Sequence, residues 1–223
     1  MAPVTFPANG SQATGYLAVP NEGTGSAVIV LQEWWGLDDH IRDVCDRLAR
    51  EGFFALAPDL YDGEVTDRPD EAEQKMLALS LARAERDMRG AVDFLIAQDG
   101  VRGEGVGSLG FCMGGGLAVW AAVRNPKVRA AVTYYGRPDG GPDFTQIHGP
   151  VLGHYGTIDE FIPEQAVREL EDEMRRAGVD VRFEYYEAGH AFFNDTDRLG
   201  TYDPDAARHS WQRTLEFLRG ALT

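Results

Sequence analysis

The feature that most constrains the fold of this chain is a glycine-rich stretch around one cysteine, Gly110-Phe111-Cys112-Met113-Gly114-Gly115-Gly116. A strand-like run ends in it, and the apolar run 117–123, which is typical of a helix, follows it. Because flanking glycines permit a tight, strained turn, this pattern predicts a nucleophile elbow that exposes the cysteine side chain. The backbone N–H of Met113 would then lie at a helix N-terminus, where developing negative charge is stabilised.

The alternative is that Cys112 is a small buried residue without chemistry, which is the commoner role of a cysteine in apolar surroundings. The motif alone leaves both interpretations open. The rest of the chain has to decide between them.

The composition excludes some partners. In 223 residues, 43% hydrophobic and 10% aromatic, the formal net charge is −15, so nucleic acid and anionic membrane surfaces would be repelled. A small anionic substrate is not excluded, because a local basic pocket can oppose the overall field. The length favours one domain over 1–223 with a sizeable core.

The cysteine count and the termini point to the cytoplasm. With only Cys45 and Cys112, we expect free thiols in a reducing compartment and no disulfide framework. Neither cysteine has a partner at zinc-ligand spacing, so no metal is predicted. The N-terminus lacks the pattern of a signal peptide, and no apolar run is long enough to cross a membrane.

The hydrophobic pattern alternates strands with helices. Strands are predicted at 3–6, 14–19, 26–31, 53–57, 105–112, 128–135, 151–155 and 179–187, the first two joined by a turn at Asn9-Gly10. Helices are predicted at about 38–49, 69–98, 113–124, 164–176 and 205–222. This order predicts an α/β fold, with a mostly parallel sheet and helices on both faces.

Four reactive side chains follow the ends of different predicted strands: Glu33, Cys112, Asp159 and His190. Because the carboxyl ends of parallel strands share one edge of the sheet, we expect these side chains to converge there. A histidine can take the proton of a thiol, and a carboxylate on its other ring nitrogen orients it. The chain order Cys112, Asp159, His190 is the order nucleophile, acid, histidine.

The other candidates are predicted to be structural or solvent-facing. His154 lies in a strand, His209 in the last helix, His40 at a helix start and His148 in a loop. Cys45 falls on the apolar face of the helix at 38–49 and is interpreted as a core residue.

These residues resemble the dienelactone hydrolase (carboxymethylenebutenolidase) family, a cysteine-nucleophile branch of the α/β-hydrolases, over essentially the whole chain. The matching segments are 32–36 (Gln-Glu-Trp-Trp-Gly), 57–61 (Ala-Pro-Asp-Leu-Tyr), the elbow at 110–115, 134–136, 156–163 and 189–192. The resemblance implies a three-layer α/β-hydrolase sandwich. It also implies hydrolysis of a lactone or carboxylic ester without metal or organic cofactor.

The resemblance further implies a role for each site residue. Cys112 would be the nucleophile, His190 the base and then the acid, and Asp159 its partner, with the N–H groups of Met113 and Trp34 as the oxyanion hole. Glu33 would contact the resting thiol and disfavour the thiolate until substrate displaces it.

The chain departs from the family where arginines bind a substrate carboxylate. One of these positions is Asn194, and between 62 and 80 the only cations are Arg68 and Lys75, neither a clear match. Since a lost guanidinium matters for a carboxylate ligand, the particular lactone stays open. Aromatic residues would instead give a fairly apolar pocket for an uncharged ester; they are Trp34, Trp35, Tyr135 and Phe192.

Three other functions remain as alternatives. A broad carboxylesterase or thioesterase would use the same machinery on uncharged esters. A glutaminase-type amidotransferase also uses a cysteine elbow, but it pairs it with His-x-Glu, which this sequence lacks. A thiol sensor could keep the fold without catalysis. The expected partner is a small ester or lactone, and a monomer is the default.

Overall fold

The computed structural model describes residues 2–8 and 10–222, which form one eight-stranded sheet and six α-helices. The strands are β1 (Ala2–Ala8), β2 (Ser11–Ala18), β3 (Gly25–Leu31), β4 (Phe54–Pro58), β5 (Val101–Phe111), β6 (Val128–Tyr134), β7 (Val151–Gly156) and β8 (Val181–Tyr186). The helices are α1 (Asp39–Arg50), α2 (Pro69–Ala78), α3 (Leu81–Ile96), α4 (Met113–Arg124), α5 (Glu164–Arg176) and α6 (Pro204–Ala221).

The sheet is mostly parallel, as predicted. Its strand order is β1-β2-β4-β3-β5-β6-β7-β8. The strands from β4 to β8 in this order pair in parallel, whereas β2 pairs antiparallel with both β1 and β4. The predicted opening hairpin is therefore confirmed, although Asn9 of its predicted turn lies outside the described residues. The strand β5, which carries Cys112 at its end, lies inside the sheet between β3 and β6.

Helices cover both faces of the sheet. Alternate residues of β3 enter two different hydrophobic cores: Ile29 packs into the core under α3, α4 and α5, and Val28 into the core under α1 and α6. Both side chains are fully buried, as the continuous β-branched run predicts. The result is the expected three-layer α/β arrangement. No helix in the described part of the chain combines the length and apolar character needed to cross a bilayer.

The structure corrects the single helical stretch predicted at about 69–98. Leu79 and Ser80 adopt extended backbone (ψ 116° and 117°), which ends α2 and begins α3. Of α2 only Ala72 is buried, and Leu77 is 75% exposed, whereas α3 buries a full face against the sheet. In the sequence, the apolar residues of α2 and α3 together resemble the pattern of one amphipathic helix, although the two helices pack against different neighbours. Serine is also favoured at a helix start.

The remaining boundaries differ by a few residues. β5 begins at Val101, four residues before its predicted start, and β6 ends at Tyr134 because Tyr135 has a φ of 37°. The helix α5 ends as predicted, with Gly178 in left-handed conformation (φ 85°).

The buried histidine of β7 is a structural group, as predicted. In His154, Nδ1 lies 3.0 Å from the Tyr186 hydroxyl and Nε2 lies 3.0 Å from Thr214 Oγ1. Burial, together with the nearby charges of Arg213 and Arg182, lowers the pKa of His154 from 6.5 to about 3. The ring is therefore neutral in the folded protein at neutral pH.

This depressed pKa predicts a loss of stability in acid. Because the unfolded chain takes up the proton first, the contribution of neutral His154 is complete above pH 6.5 and is lost as the pH falls towards 3. One such group changes the free energy of unfolding by at most about 1.4 kcal/mol per pH unit. In urea unfolding between pH 7 and 4, His154→Gln should show a shallower pH dependence than wild type.

The matched control is His209→Gln, since His209 is exposed on α6. It should retain the wild-type pH dependence. Equal slopes for His154→Gln and wild type would show that another group causes the acid sensitivity.

Candidate active site

The predicted elbow lies between β5 and α4. Cys112 has φ 53° and ψ −119°, a conformation that costs a non-glycine residue about 1–3 kcal/mol. Its N–H donates to the Tyr134 carbonyl at 3.0 Å, which ties the turn to the end of β6. A Cβ on Gly110 would lie 1.9 Å from the Gly114 carbonyl oxygen, so the turn can close only with glycine there. The strained residue is the one with the thiol, as the sequence predicts.

Cys112 is partly exposed, in a cleft of about 390 Å³. The cleft also contains His190, so the thiol and the imidazole share one solvent-accessible space. Most of its walls are apolar. The lining residues are Trp34, Met76, Cys112, Met113, Tyr135, Arg137, Asp139, Phe161, Ile162, Pro163, Ala166 and His190.

His190 and Asp159 form the predicted carboxylate–imidazole pair. Nδ1 of His190 lies 2.8 Å from Oδ2 of Asp159, and both side chains are buried. The other carboxylate oxygen accepts the N–H groups of Phe161 at 2.7 Å and Ile162 at 2.9 Å. Because both oxygens have partners, the carboxylate holds the imidazole in one orientation, with Nε2 free for another group.

The pKa of His190 is raised from 6.5 to about 10. Burial acts to lower it, but hydrogen bonds with Asp159 and Cys112, and the negative charge of both partners, outweigh burial. The imidazole therefore has a strong affinity for a proton. An imidazole of this kind, beside a thiol, can take the thiol proton and form an imidazolium.

Glu33 is buried beside this pair, two residues after β3. Its Oε1 accepts the Tyr135 hydroxyl at 3.1 Å and its Oε2 accepts Nδ2 of Asn194 at 2.6 Å. Burial, then Glu33 and then Cys112 raise the pKa of Tyr135, so carboxylate and thiol both lie near that one hydroxyl. The structure thus brings the four predicted reactive residues together at the carboxyl edge of the sheet.

Of the four aromatic residues expected to line the pocket, Trp34 and Tyr135 line the cleft, whereas Trp35 and Phe192 do not. Trp35 is 2% exposed and Phe192 is fully buried, and neither lines the cleft. The Phe192 ring packs on Tyr135 (centroid distance 5.4 Å) and supports the wall from behind. Adjacent aromatic residues in a loop alternate between cleft and core, and the sequence does not show which of them faces the cleft.

The two cations between positions 62 and 80 form ion pairs away from the cleft. Lys75 pairs with Glu64 and Arg68 with Asp70, so neither lines the cleft. Asn194 is buried on Glu33 and is likewise not part of the lining. Within residues 2–8 and 10–222, no group of three His, Cys, Asp or Glu side chains is placed to hold a metal ion.

Sequence reasoning missed several lining residues. Phe161 and Ile162 follow Asp159 in the loop after β7, and Arg137 and Asp139 follow β6. The same rule that selected the four reactive residues, a position just past the end of a parallel strand, would have found Arg137. Met76 on α2 carried no such signal.

Comparisons with known proteins identify the family of the chain. The sequence model of the dienelactone hydrolase family matches residues 13–222. "Protein usf" of Aquifex pyrophilus is 36% identical, with 99% of this chain and 98% of that protein covered. "Putative carboxymethylenebutenolidase" of Aquifex aeolicus is 34% identical, with 98% of each covered.

A solved structure shows the same fold. The crystal structure titled "Putative Dienelactone Hydrolase" from Klebsiella pneumoniae superposes with a TM-score of 0.87 at 31% identity, covering 98% of this chain and 99% of that one. The family model, the relatives and the shared fold agree along nearly the full chain. The chain therefore belongs to the dienelactone hydrolase family and is a carboxymethylenebutenolidase-like hydrolase with the α/β-hydrolase fold.

Proposed function

We propose that the protein hydrolyses a lactone or carboxylic ester with Cys112 as nucleophile and a thioester as intermediate. One observation carries the proposal: His190, oriented by Asp159, shares an accessible cleft with Cys112 on a strained elbow. A buried structural cysteine needs neither the strained backbone nor a histidine with a raised pKa.

In the first step His190 takes the thiol proton on Nε2, while Asp159 on Nδ1 stabilises the imidazolium. The negative charge on Cys112 contributes to the raised pKa of His190, so the thiolate and the imidazolium formed by this transfer stabilise each other. The thiolate then attacks the carbonyl carbon of the substrate, and the carbonyl oxygen becomes an oxyanion.

The oxyanion is assigned to two backbone donors, the N–H groups of Met113 and Trp34. Met113 is the first residue of α4, so its N–H belongs to the positive end of the helix. One such donor typically contributes about 10²–10³-fold to the rate. Collapse of the tetrahedral intermediate releases the alcohol, which takes the proton from His190, and leaves a thioester on Cys112.

Water completes the reaction. His190 removes a proton from the water that attacks the thioester and returns it to the leaving sulfur, which regenerates the thiol and the neutral imidazole. Every proton is transferred through Nε2 of His190. Asp159 therefore has the same role in each step, which is to orient and stabilise the imidazole at Nδ1.

The largely apolar cleft favours an uncharged or weakly polar ester, and a broad carboxylesterase or thioesterase is the main alternative.

We place this activity in the cytoplasm, supported by the two free cysteines, Cys45 and Cys112. A monomer without cofactor is the simplest form that the proposed mechanism needs.

Replacement of the nucleophile tests the proposal directly. Cys112→Ala should lower kcat/KM on every ester or lactone by about 10⁴-fold or more, since the described lining of the cleft holds no second cysteine, serine or threonine to form the acyl-enzyme. Hydrolysis of a dienelactone and of p-nitrophenyl acetate should be measured in parallel. Mass spectrometry of the wild type quenched in acid should show one acyl adduct on Cys112.

The control is Cys45→Ala, which removes the buried thiol and should keep activity. Turnover in Cys112→Ala would reject the assigned nucleophile. Cys112-dependent lactone opening would identify a dienelactone hydrolase, and hydrolysis of the neutral ester alone a carboxylesterase. A wild type inert to all esters would favour the thiol sensor.

We also propose that Glu33 restrains the thiol before substrate binds. Its carboxylate is buried, keeps its place through Tyr135 and Asn194, and lies near the same hydroxyl as Cys112. Negative charge close to a thiol disfavours the thiolate. Substrate that displaces Glu33 would therefore release the nucleophile at the moment it is needed.

Alkylation measures this restraint. Cys45 is fully buried, so iodoacetamide reports on Cys112 in the native protein. Glu33→Gln keeps an acceptor for Tyr135 but removes the charge, and it should speed alkylation by roughly threefold to tenfold. The exposed Glu104→Gln serves as control and should react as wild type. Equal alkylation rates in Glu33→Gln and wild type would show that Glu33 does not restrain the thiol.

A further inference from the structure

A second cleft lies beside the catalytic cleft, and the proposed mechanism does not use it. It has a volume of about 600 Å³ and is formed by the loops after β7 and β8. Phe161 and His190 line both clefts, so the two spaces meet at the imidazole. A ligand that lies between Cys112 and His190 can therefore extend into the second cleft.

Exposed apolar side chains mark the second cleft. Ile158 is 63% exposed, Phe161 58% and Tyr202 39%. In the described part of the chain seven large hydrophobic side chains are exposed, and the four others line neither of the two clefts. Exposed apolar groups that gather at one place are typical of a binding surface.

The backbone holds this apolar wall in place. The N–H of Phe161 donates to Asp159 at 2.7 Å, and the Phe161 ring packs on the His190 ring with a centroid distance of 4.8 Å. On the other side, the N–H of Tyr202 donates to Oδ1 of Asp197 at 2.9 Å. The second cleft is therefore largely formed before a ligand enters, as is usual for sites that bind small molecules.

The proposed mechanism determines which part of an ester lies next to this cleft. The carbonyl oxygen faces the N–H groups of Met113 and Trp34, whereas the leaving oxygen takes its proton from His190. Because the alcohol part is attached to the leaving oxygen, it begins at the imidazole, where the second cleft also begins. The acid part, which stays on Cys112 as the thioester, is left with the catalytic cleft.

The charges of the second cleft disfavour an anion. Its described lining contains three carboxylates and no lysine or arginine; the carboxylates belong to Glu160, Glu187 and Asp203. None of the three forms an ion pair with a residue in 2–8 or 10–222. A carboxylate on the alcohol part would therefore be repelled. An uncharged alcohol part agrees with the uncharged ester proposed for the catalytic cleft.

We propose that the second cleft binds the alcohol part of the ester, with Ile158 and Tyr202 as specificity-determining residues. The inference rests on the proposed hydrolysis at Cys112 and extends it to a substrate class: uncharged esters of alcohols with an aromatic or other bulky apolar group. Such a group removes apolar surface of Ile158, Phe161 and Tyr202 from water, which stabilises the bound ester.

Two isomeric esters test the assignment. 2-Phenylethyl acetate carries its phenyl group on the alcohol part, and ethyl phenylacetate carries it on the acid part. Ile158→Ala and Tyr202→Ala should each lower the ratio of kcat/KM, the first ester over the second, by about 3- to 10-fold. The quantity kcat/KM is suitable because it reports steps up to acylation, when the alcohol part is still attached. Tyr202→Phe keeps the ring and should keep most of the ratio.

The control is Leu77→Ala, which shortens an exposed apolar side chain that lines neither cleft. It should leave the ratio unchanged. An unchanged ratio in both Ile158→Ala and Tyr202→Ala, an equal fall for the two isomers, or a larger fall for ethyl phenylacetate would overturn the assignment. Hydrolysis that survives Cys112→Ala would instead contradict the proposed function, so the two failures are distinguishable.

Discussion

The site depends on one tight turn between β5 and α4. Cys112 adopts a backbone conformation that costs about 1–3 kcal/mol, and such strain persists only where the surroundings impose it. Here β5 lies inside the sheet, the Cys112 N–H bonds to the end of β6, and Gly110 lets the backbone close on itself. The parallel sheet therefore holds the thiol at its carboxyl edge. In the same way it presents the loops after β3, β7 and β8 to that thiol.

Buried carboxylates set the electrostatics of this edge. Asp159 and Glu33 are both nearly inaccessible, and both have hydrogen-bond partners for each oxygen. Asp159 raises the pKa of His190 and so prepares a proton acceptor. Glu33 places a second negative charge near the thiol. In the mechanism proposed above, Asp159 favours proton transfer from Cys112 and Glu33 opposes the resulting thiolate, a balance that substrate binding would change.

The sequence predicts those parts of the molecule that local chemistry determines. Three signals each act within a few residues: the β-branched run ending at Leu31, the glycines around Cys112 and Gly178 at the end of α5. The strands, the elbow and most helix ends are therefore predictable. The break at Leu79 and Ser80 depends on what each half of the stretch packs against. Whether Trp35 faces the cleft or the core depends on a loop path that only the assembled sheet defines. Long-range pairs such as Asn194 with Glu33 join residues 161 positions apart.

The residue at position 194 sets the charge next to Glu33. A guanidinium at 194 would bring a positive charge next to Glu33, whereas the neutral Asn194 donates a hydrogen bond to Oε2 of Glu33 and adds no charge. The only lysine or arginine that lines the described cleft is Arg137, whose loop follows β6, on the other side of β5 from the loop of Glu33. The loops after β3 and β6 thus place side chains of opposite charge on the two sides of the strand that carries Cys112.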